Sequence, residues 1–198
     1  SRPNVVFVFG DQWRGQATGY AGDPNAITPN LDRLAARGVF FTRAYCNSPV
    51  CNPSRSSMWT GRYPHEIGCW NNYTGLKHDA VTFATHFAEA GYRTACIGKW
   101  DVSNRKPIIE RMPNAQGFDY YFGTSVPNFP PYCFIENDRT VGIPSEFLPA
   151  RLLGNNLANI LATSLATAVF TKVFGANGVA VATLVKPATV AKTYELVI

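Results

Sequence analysis

The residues best placed to do chemistry are Cys51-Asn52-Pro53-Ser54-Arg55, inside the run from Asn47 to Arg62. A thiol stands just ahead of a proline that suits the first turn of a helix, and Ser54 to Thr60 can wind on as that helix. A group at such a terminus faces orphan N–H donors and the positive end of the helix dipole, which favour an anion. Arg55, four residues on, adds a planar cation suited to a tetrahedral oxyanion. The pattern is a nucleophile beside an anion pocket. A lone Cys-x-Pro is more often a buried, inert thiol before an ordinary helix, so the rest of the chain has to decide.

Two further groups bear on that choice. Asn4-Val5-Val6-Phe7-Val8-Phe9 is a continuous apolar run that reads as a buried parallel strand. Gly10 ends it and places Asp11-Gln12 at its carboxyl end, the edge of an open α/β sheet where ligands gather. A carboxylate beside an amide oxygen offers hard ligands for Ca²⁺ or Mg²⁺; an isolated Asp there would read as a solvated loop residue. Tyr92 to Ile97 is a second strand, followed by Gly98-Lys99-Trp100. Parallel to the first, it brings Lys99 to the same side as Asp11, where an ammonium can meet an anion. A snorkelling surface lysine is the plainer alternative.

The elements that must position these groups are well punctuated. Thr28 can cap a helix with Pro29 at its first position and Gly38 at its end, and Thr82 and Gly91 bracket another. Val39 to Tyr45 reads as a strand leading into the Cys51 loop. The order strand, helix, strand, helix, helix, strand predicts a three-layer α/β domain with a largely parallel sheet. His65, His78 and His86 fit packing or hydrogen-bonding roles and stay outside the candidate site.

A length of 198 residues suits one domain, or one domain and a tail, and 46% hydrophobic with 13% aromatic content suffices for a core. The formal charge of +5 is scattered, with no dense basic run, which argues against a nucleic-acid partner. If four of the five cysteines form disulfides, Cys51 is the natural odd one out; their spacing matches no zinc site. The chain opens with Ser1-Arg2-Pro3 directly into a strand, with no apolar leader, so either a signal peptide was removed or none existed.

Several motifs act together: Cys-x-Pro-Ser-Arg with the following Thr-Gly-Arg, Asp-Gln after the first strand, Thr-Pro-Asn-Leu-Asp-Arg-Leu-Ala at 28–35, Gly-Arg-Tyr-Pro-His at 61–65, Gly-Lys-Trp at 98–100 and Gly-Phe-Asp-Tyr-Tyr-Phe-Gly at 117–123. Over roughly Pro3 to Phe147 the chain resembles the type I, formylglycine-dependent sulfatases. That resemblance implies an alkaline-phosphatase-like fold and a sulfuric ester hydrolase of the arylsulfatase kind. It implies that Cys51 is oxidised to formylglycine by a formylglycine-generating enzyme, and that the hydrated aldehyde is the nucleophile. Asp11, Gln12 and residue 51 would hold Ca²⁺, with Mg²⁺ as the alternative, while Arg55 and Lys99 would contact the sulfate. The implied substrate is a sulfate-ester small molecule or a sulfated carbohydrate, in a periplasmic, secreted or lysosomal setting. A phosphate or phosphonate ester hydrolase with the same nucleophile is the related alternative, because both substrates are tetrahedral oxyanions. A catalytically inactive fragment is another, since the family's second metal-ligand pair has no counterpart here. Asp101 stands where the family's Gly-Lys-Trp-His-Leu-Gly carries His. An anionic Asp repels sulfate and does not replace imidazole near neutral pH.

From Pro149 the composition changes, which divides the chain into an incomplete α/β domain at 1–147 and an apolar tail at 148–198, expected to be helical. Leu152 to Thr171 is twenty residues without charge, and Val173 to Val185 continues the apolar run, enough to span a bilayer or to complete a soluble core. Membrane contact through 152–185 is one expectation. Residues 149–194 also resemble a fragment of the membrane domain of CorC/cyclin-M-type divalent-cation transporters, which implies a chimeric chain.

Overall fold

The computed structural model describes residues 2–11, 13–104, 109–125, 132–145 and 178–185, with 109, 143–145 and 178–185 as backbone only. Among these residues six strands form one sheet: β1 (Val5–Asp11), β2 (Arg93–Lys99), β3 (Tyr120–Thr124), β4 (Tyr132–Glu136), β5 (Arg139–Ser145) and β6 (Gly178–Val185). Their order is β1-β6-β2-β3-β4-β5. β1, β6, β2 and β3 run parallel, and β4 and β5 close the far side as an antiparallel pair. The sheet is therefore mixed. The turn between β4 and β5 falls at Asn137-Asp138, where Asn137 takes φ +53°, a left-handed conformation that Asn tolerates.

Among the described residues three α-helices accompany the sheet: α1 (Pro29–Arg37), α2 (Cys51–Thr60) and α3 (Phe83–Glu89). α3 starts as its sequence predicts. The Thr82 hydroxyl accepts from Thr85 N–H, and the Thr85 side chain accepts from Thr82 N–H, so two orphan donors are satisfied reciprocally. In α1 Thr28 does not cap: its hydroxyl donates to Asp32 Oδ1 at 2.8 Å and accepts from Gly19 N–H at 2.7 Å. The side chain ties the helix to the preceding loop instead. α2 starts at Cys51 rather than Ser54, with Pro53 as its third residue. The first four N–H groups of a helix lack intrahelical acceptors, so a proline there loses nothing.

The core lies where α2, α3 and β2 meet. Trp59, Trp100, Leu76, Phe118 and Tyr121 are buried there, and Trp59 packs against Trp100 and Phe83 with ring centroids 5.3 Å apart in each case. The indole of Trp100 donates to Arg111 O at 2.7 Å, the polar anchor a buried tryptophan needs. β2 and β3 approach closely at the paired glycines Gly98 and Gly123. A side chain on Gly123 would run into the backbone of Gly98, and Gly98 itself has φ +104°. That kink immediately precedes Lys99.

Three expectations from the sequence change. β1 is not a buried inner strand: it lies at the sheet edge among the described strands, with Val6 and Phe7 exposed. Val39 to Tyr45 forms no strand; no ladder partner holds it among the described residues, and Phe41 and Tyr45 face solvent. Within the tail, 178–185 is not helical. Its β-branched and small residues, Gly-Val-Ala-Val-Ala-Thr-Leu-Val, fit between β1 and β2 as a strand paired on both sides. The apolar run at 152–185 therefore does not continue as one helix to its end; residues 146–177 and 186–198 lie outside the described set. Among the described residues, no helix is long and apolar enough to cross a membrane.

Candidate active site

Parallel pairing of β1 and β2 through β6 puts the carboxyl ends of both strands on one edge, and each ends on a charged residue, Asp11 and Lys99. The N-terminus of α2 arrives at the same edge. Lys99 Nζ lies 2.9 Å from Asp11 Oδ2. Arg55 Nη2 lies 3.6 Å from Asp11 Oδ1, and Cys51 Sγ is 3.9 Å from that same oxygen. Four residues expected from the sequence to act together, Asp11, Cys51, Arg55 and Lys99, do meet. Gln12 lies outside the described residues.

The two cations are held rather than loose. Arg55 is buried in the first full turn of α2, with its guanidinium carbon 5.0 Å from the centre of the Phe9 ring and its Nη1 donating to Lys99 O at 2.8 Å. Lys99 is buried as well and bridges two carboxylates, Asp11 and Asp101, the latter at 3.0 Å. Burial alone works against its charge; Asp101 and then Asp11 outweigh that and the opposing Arg55, so its pKa stands above the usual lysine value.

Cys51 is the first residue of α2 and half-buried, and all five cysteines are free thiols. The helix end beside it is braced from outside: the Asn72 side chain accepts from Asn52 N–H at 3.0 Å. Asn52 is itself fully buried, with its side-chain oxygen accepting from Ser56 Oγ at 2.9 Å and from Cys69 Sγ at 3.1 Å. Sequence reasoning missed Asn72, Asn52 and Cys69. A cap that comes from another loop leaves no local spacing to find. It also left Asp101 out of the site on grounds of charge, although the family motif marks the position.

His65 stacks on Tyr63 with centroids 5.6 Å apart, and His86 contacts Glu89.

The divalent ion implied by the sequence finds a partial donor set. Asp11 offers one carboxylate next to residue 51, but both its oxygens already face cations. Among the described residues no group of three or more His, Cys, Asp or Glu could hold a metal. A hard cation takes six or more oxygens, so these residues supply one side of such a site and do not complete it.

A partly parallel α/β sheet gathers a thiol, two buried cations and a carboxylate at its carboxyl edge. The chain belongs to the sulfatase family, whose model, described as Sulfatase, matches residues 3–172. It is 44% identical over 122 residues to the ulvan-active sulfatase of Formosa agariphila, covering 61% of this chain and 24% of that protein. It is 38% identical over 142 residues to human steryl-sulfatase, covering 65% and 24% respectively. The chain thus spans about a quarter of the length of these curated relatives. Among solved structures it is similar to BT4656 in complex with its substrate D-glucosamine-2-N,6-O-disulfate, with TM-score 0.73 and 26% identity over 96% of this chain and 35% of that one. Ps i-CgsB in complex with k-i-k-neocarrahexaose matches with TM-score 0.72 and 26% identity, over 96% of this chain and 46% of that one. These neighbours share the alkaline-phosphatase-like sulfatase fold.

Proposed function

We propose that the chain carries the nucleophile half of a sulfuric ester hydrolase site and that its substrates are sulfated carbohydrates. The observation that carries this is the meeting of Cys51, Arg55, Lys99 and Asp11 within hydrogen-bond or near-contact distance, from three separate elements. Sulfated sugars are favoured because solved relatives bind a disulfated glucosamine and a neocarrahexaose, and another relative is named for ulvan.

In this reading Cys51 is converted to formylglycine by a formylglycine-generating enzyme, and the hydrated aldehyde supplies the oxygen that displaces the ester oxygen from sulfur. A divalent cation, Ca²⁺ in the first instance, would be held in part by Asp11 and Gln12 and would supply Lewis-acid charge stabilisation. The protein's own residues do the positioning. α2 presents residue 51 at its positive end. Arg55 and Lys99 stabilise the charge that builds on the sulfate oxygens as the ester bond breaks. Because each is fixed by the other's backbone or by a carboxylate, little rearrangement is needed on binding. The transporter-like resemblance of 149–194 carries no weight here: the family match extends to residue 172, and 178–185 is an inner strand of the sheet.

The test is release of chromophore from an aryl sulfate in Ca²⁺ buffer after coexpression with a formylglycine-generating enzyme. Turnover that disappears in Cys51→Ala supports the reading. Equal turnover in Cys51→Ala removes residue 51 from the mechanism, and no turnover by a chain whose Cys51 peptide has the aldehyde mass shows that this half does not suffice.

A further inference from the structure

Among the described charged residues at the site, Asp101 is the one given no part in the reading above. It is 1% exposed and follows β2 with φ +54°. Its N–H donates to Ser125 O at 2.8 Å, which fixes the backbone. Its Oδ2 lies 3.0 Å from Lys99 Nζ, while Oδ1 is buried without a hydrogen-bond partner among the described residues. A buried carboxylate with one oxygen unmatched projects its negative potential onto the neighbouring site groups, where little water screens it.

The side-chain charges gathered here, Arg55 and Lys99 against Asp11 and Asp101, cancel among themselves. Removing Asp101 alone would leave the set one unit positive. An incoming ester feels that difference in proportion to its own charge, because Coulomb energy is linear in each partner's charge. A sulfate monoester carries one negative charge. A phosphate monoester of the same tetrahedral shape carries close to two once pH exceeds its second pKa of about 6. We propose that Asp101 is a specificity-determining residue, which tunes the pocket for monoanionic sulfate monoesters and against dianionic phosphate monoesters. The proposal rests on the oxyanion-binding reading of the site given above.

The experiment compares phenyl sulfate and phenyl phosphate at pH 8 as ligands of the full chain with an unconverted thiol at 51. Wild type and Asp101→Asn are titrated calorimetrically, and slowing of Cys51 alkylation by iodoacetamide, read from the Cys51 peptide, reports binding at this site. Asn keeps the side-chain shape and accepts the left-handed backbone, and Lys99 keeps Asp11 as its partner. Asp101→Asn is expected to tighten phenyl sulfate roughly tenfold and phenyl phosphate by about the square of that factor. Equal tightening of both ligands would mean an effect of shape, and weakening of both would mean that Asp101 only braces Lys99; either overturns the proposal. Slowing of alkylation by neither ligand in either protein overturns the oxyanion-binding reading along with it. Asp101→Gly, also compatible with positive φ, carries the same expectation if the amide variant fails to fold.

Discussion

Arg55 Nη1 donates to the main-chain carbonyl of Lys99 at 2.8 Å, which latches the first turn of α2 to the end of β2. The bond joins residues 44 apart in sequence and makes the position of each cation depend on the other. Lysine at 55 would keep the charge but lose the planar fork that reaches Lys99 O and Asp11 together. Arg55→Lys is expected to lower stability by about 2 kcal/mol, the scale of one buried charge-assisted hydrogen bond. It should also lower kcat/KM on an aryl sulfate by roughly a hundredfold, about 2.7 kcal/mol of transition-state stabilisation. Urea denaturation and steady-state rates on one preparation check both. A variant that loses neither would show that the latch is incidental.

The site was more legible in the sequence than the sheet. Asp11 and Lys99 each end an apolar strand after a glycine, which placed them on one edge, and Cys51 and Arg55 sit one helical turn apart; that the two pairs meet was implied by the family resemblance. The strand order was not readable, because β6 enters between β1 and β2 from more than 75 residues further along the chain. Val39 to Tyr45 has strand-like composition, but composition does not supply a partner, and the segment stays unpaired. Asn72 shows the same limit at the level of one residue: a cap from a distant loop has no periodicity to betray it. Asp101 was visible as a departure from a motif, yet only its 3.0 Å contact with Lys99 shows it to be part of the charge balance.

Gly123 tests how closely β2 and β3 must approach. A Cβ there would overlap the Gly98 carbonyl, and the obstacle is backbone, not a side chain that could swing away. Gly123→Ala is expected to destabilise the protein by about 3 kcal/mol or more, toward the upper end of overpacking effects. Because Gly98 leads directly into Lys99, activity should fall further than the loss of folded protein explains. A urea midpoint equal to wild type would mean that the strands can separate there at no cost.

The five free thiols differ in access. Cys46 is exposed and Cys51 is half-buried, whereas Cys69 and Cys96 are buried. Burial pushes the Cys96 thiol up to about 12, with Arg55 pulling slightly the other way, so almost no thiolate is present near neutral pH. Iodoacetamide on the native protein is expected to label Cys46 first and to leave Cys96 unmodified until urea unfolds the chain. Native labelling of Cys96 at a rate like that of Cys46 would contradict the packing of β2.

Tyr120 offers a pH signature of the β3–β4 pairing. Its hydroxyl donates to Glu136 Oε1 at 2.8 Å. Burial, then that hydrogen bond and the glutamate charge, raise its pKa from 10.0 to about 12. A raised folded pKa means that the native state holds the proton more tightly than the unfolded chain. The resulting stabilisation is complete below pH 10 and is lost as pH rises from there through about 12. Wild type is therefore expected to lose stability more steeply across that window than Tyr120→Phe, which has no proton to lose. Chemical denaturation of both proteins at stepped pH, with tyrosinate absorbance followed in parallel, measures the difference directly. Identical slopes for the two proteins would show that the Tyr120–Glu136 contact does not persist in solution.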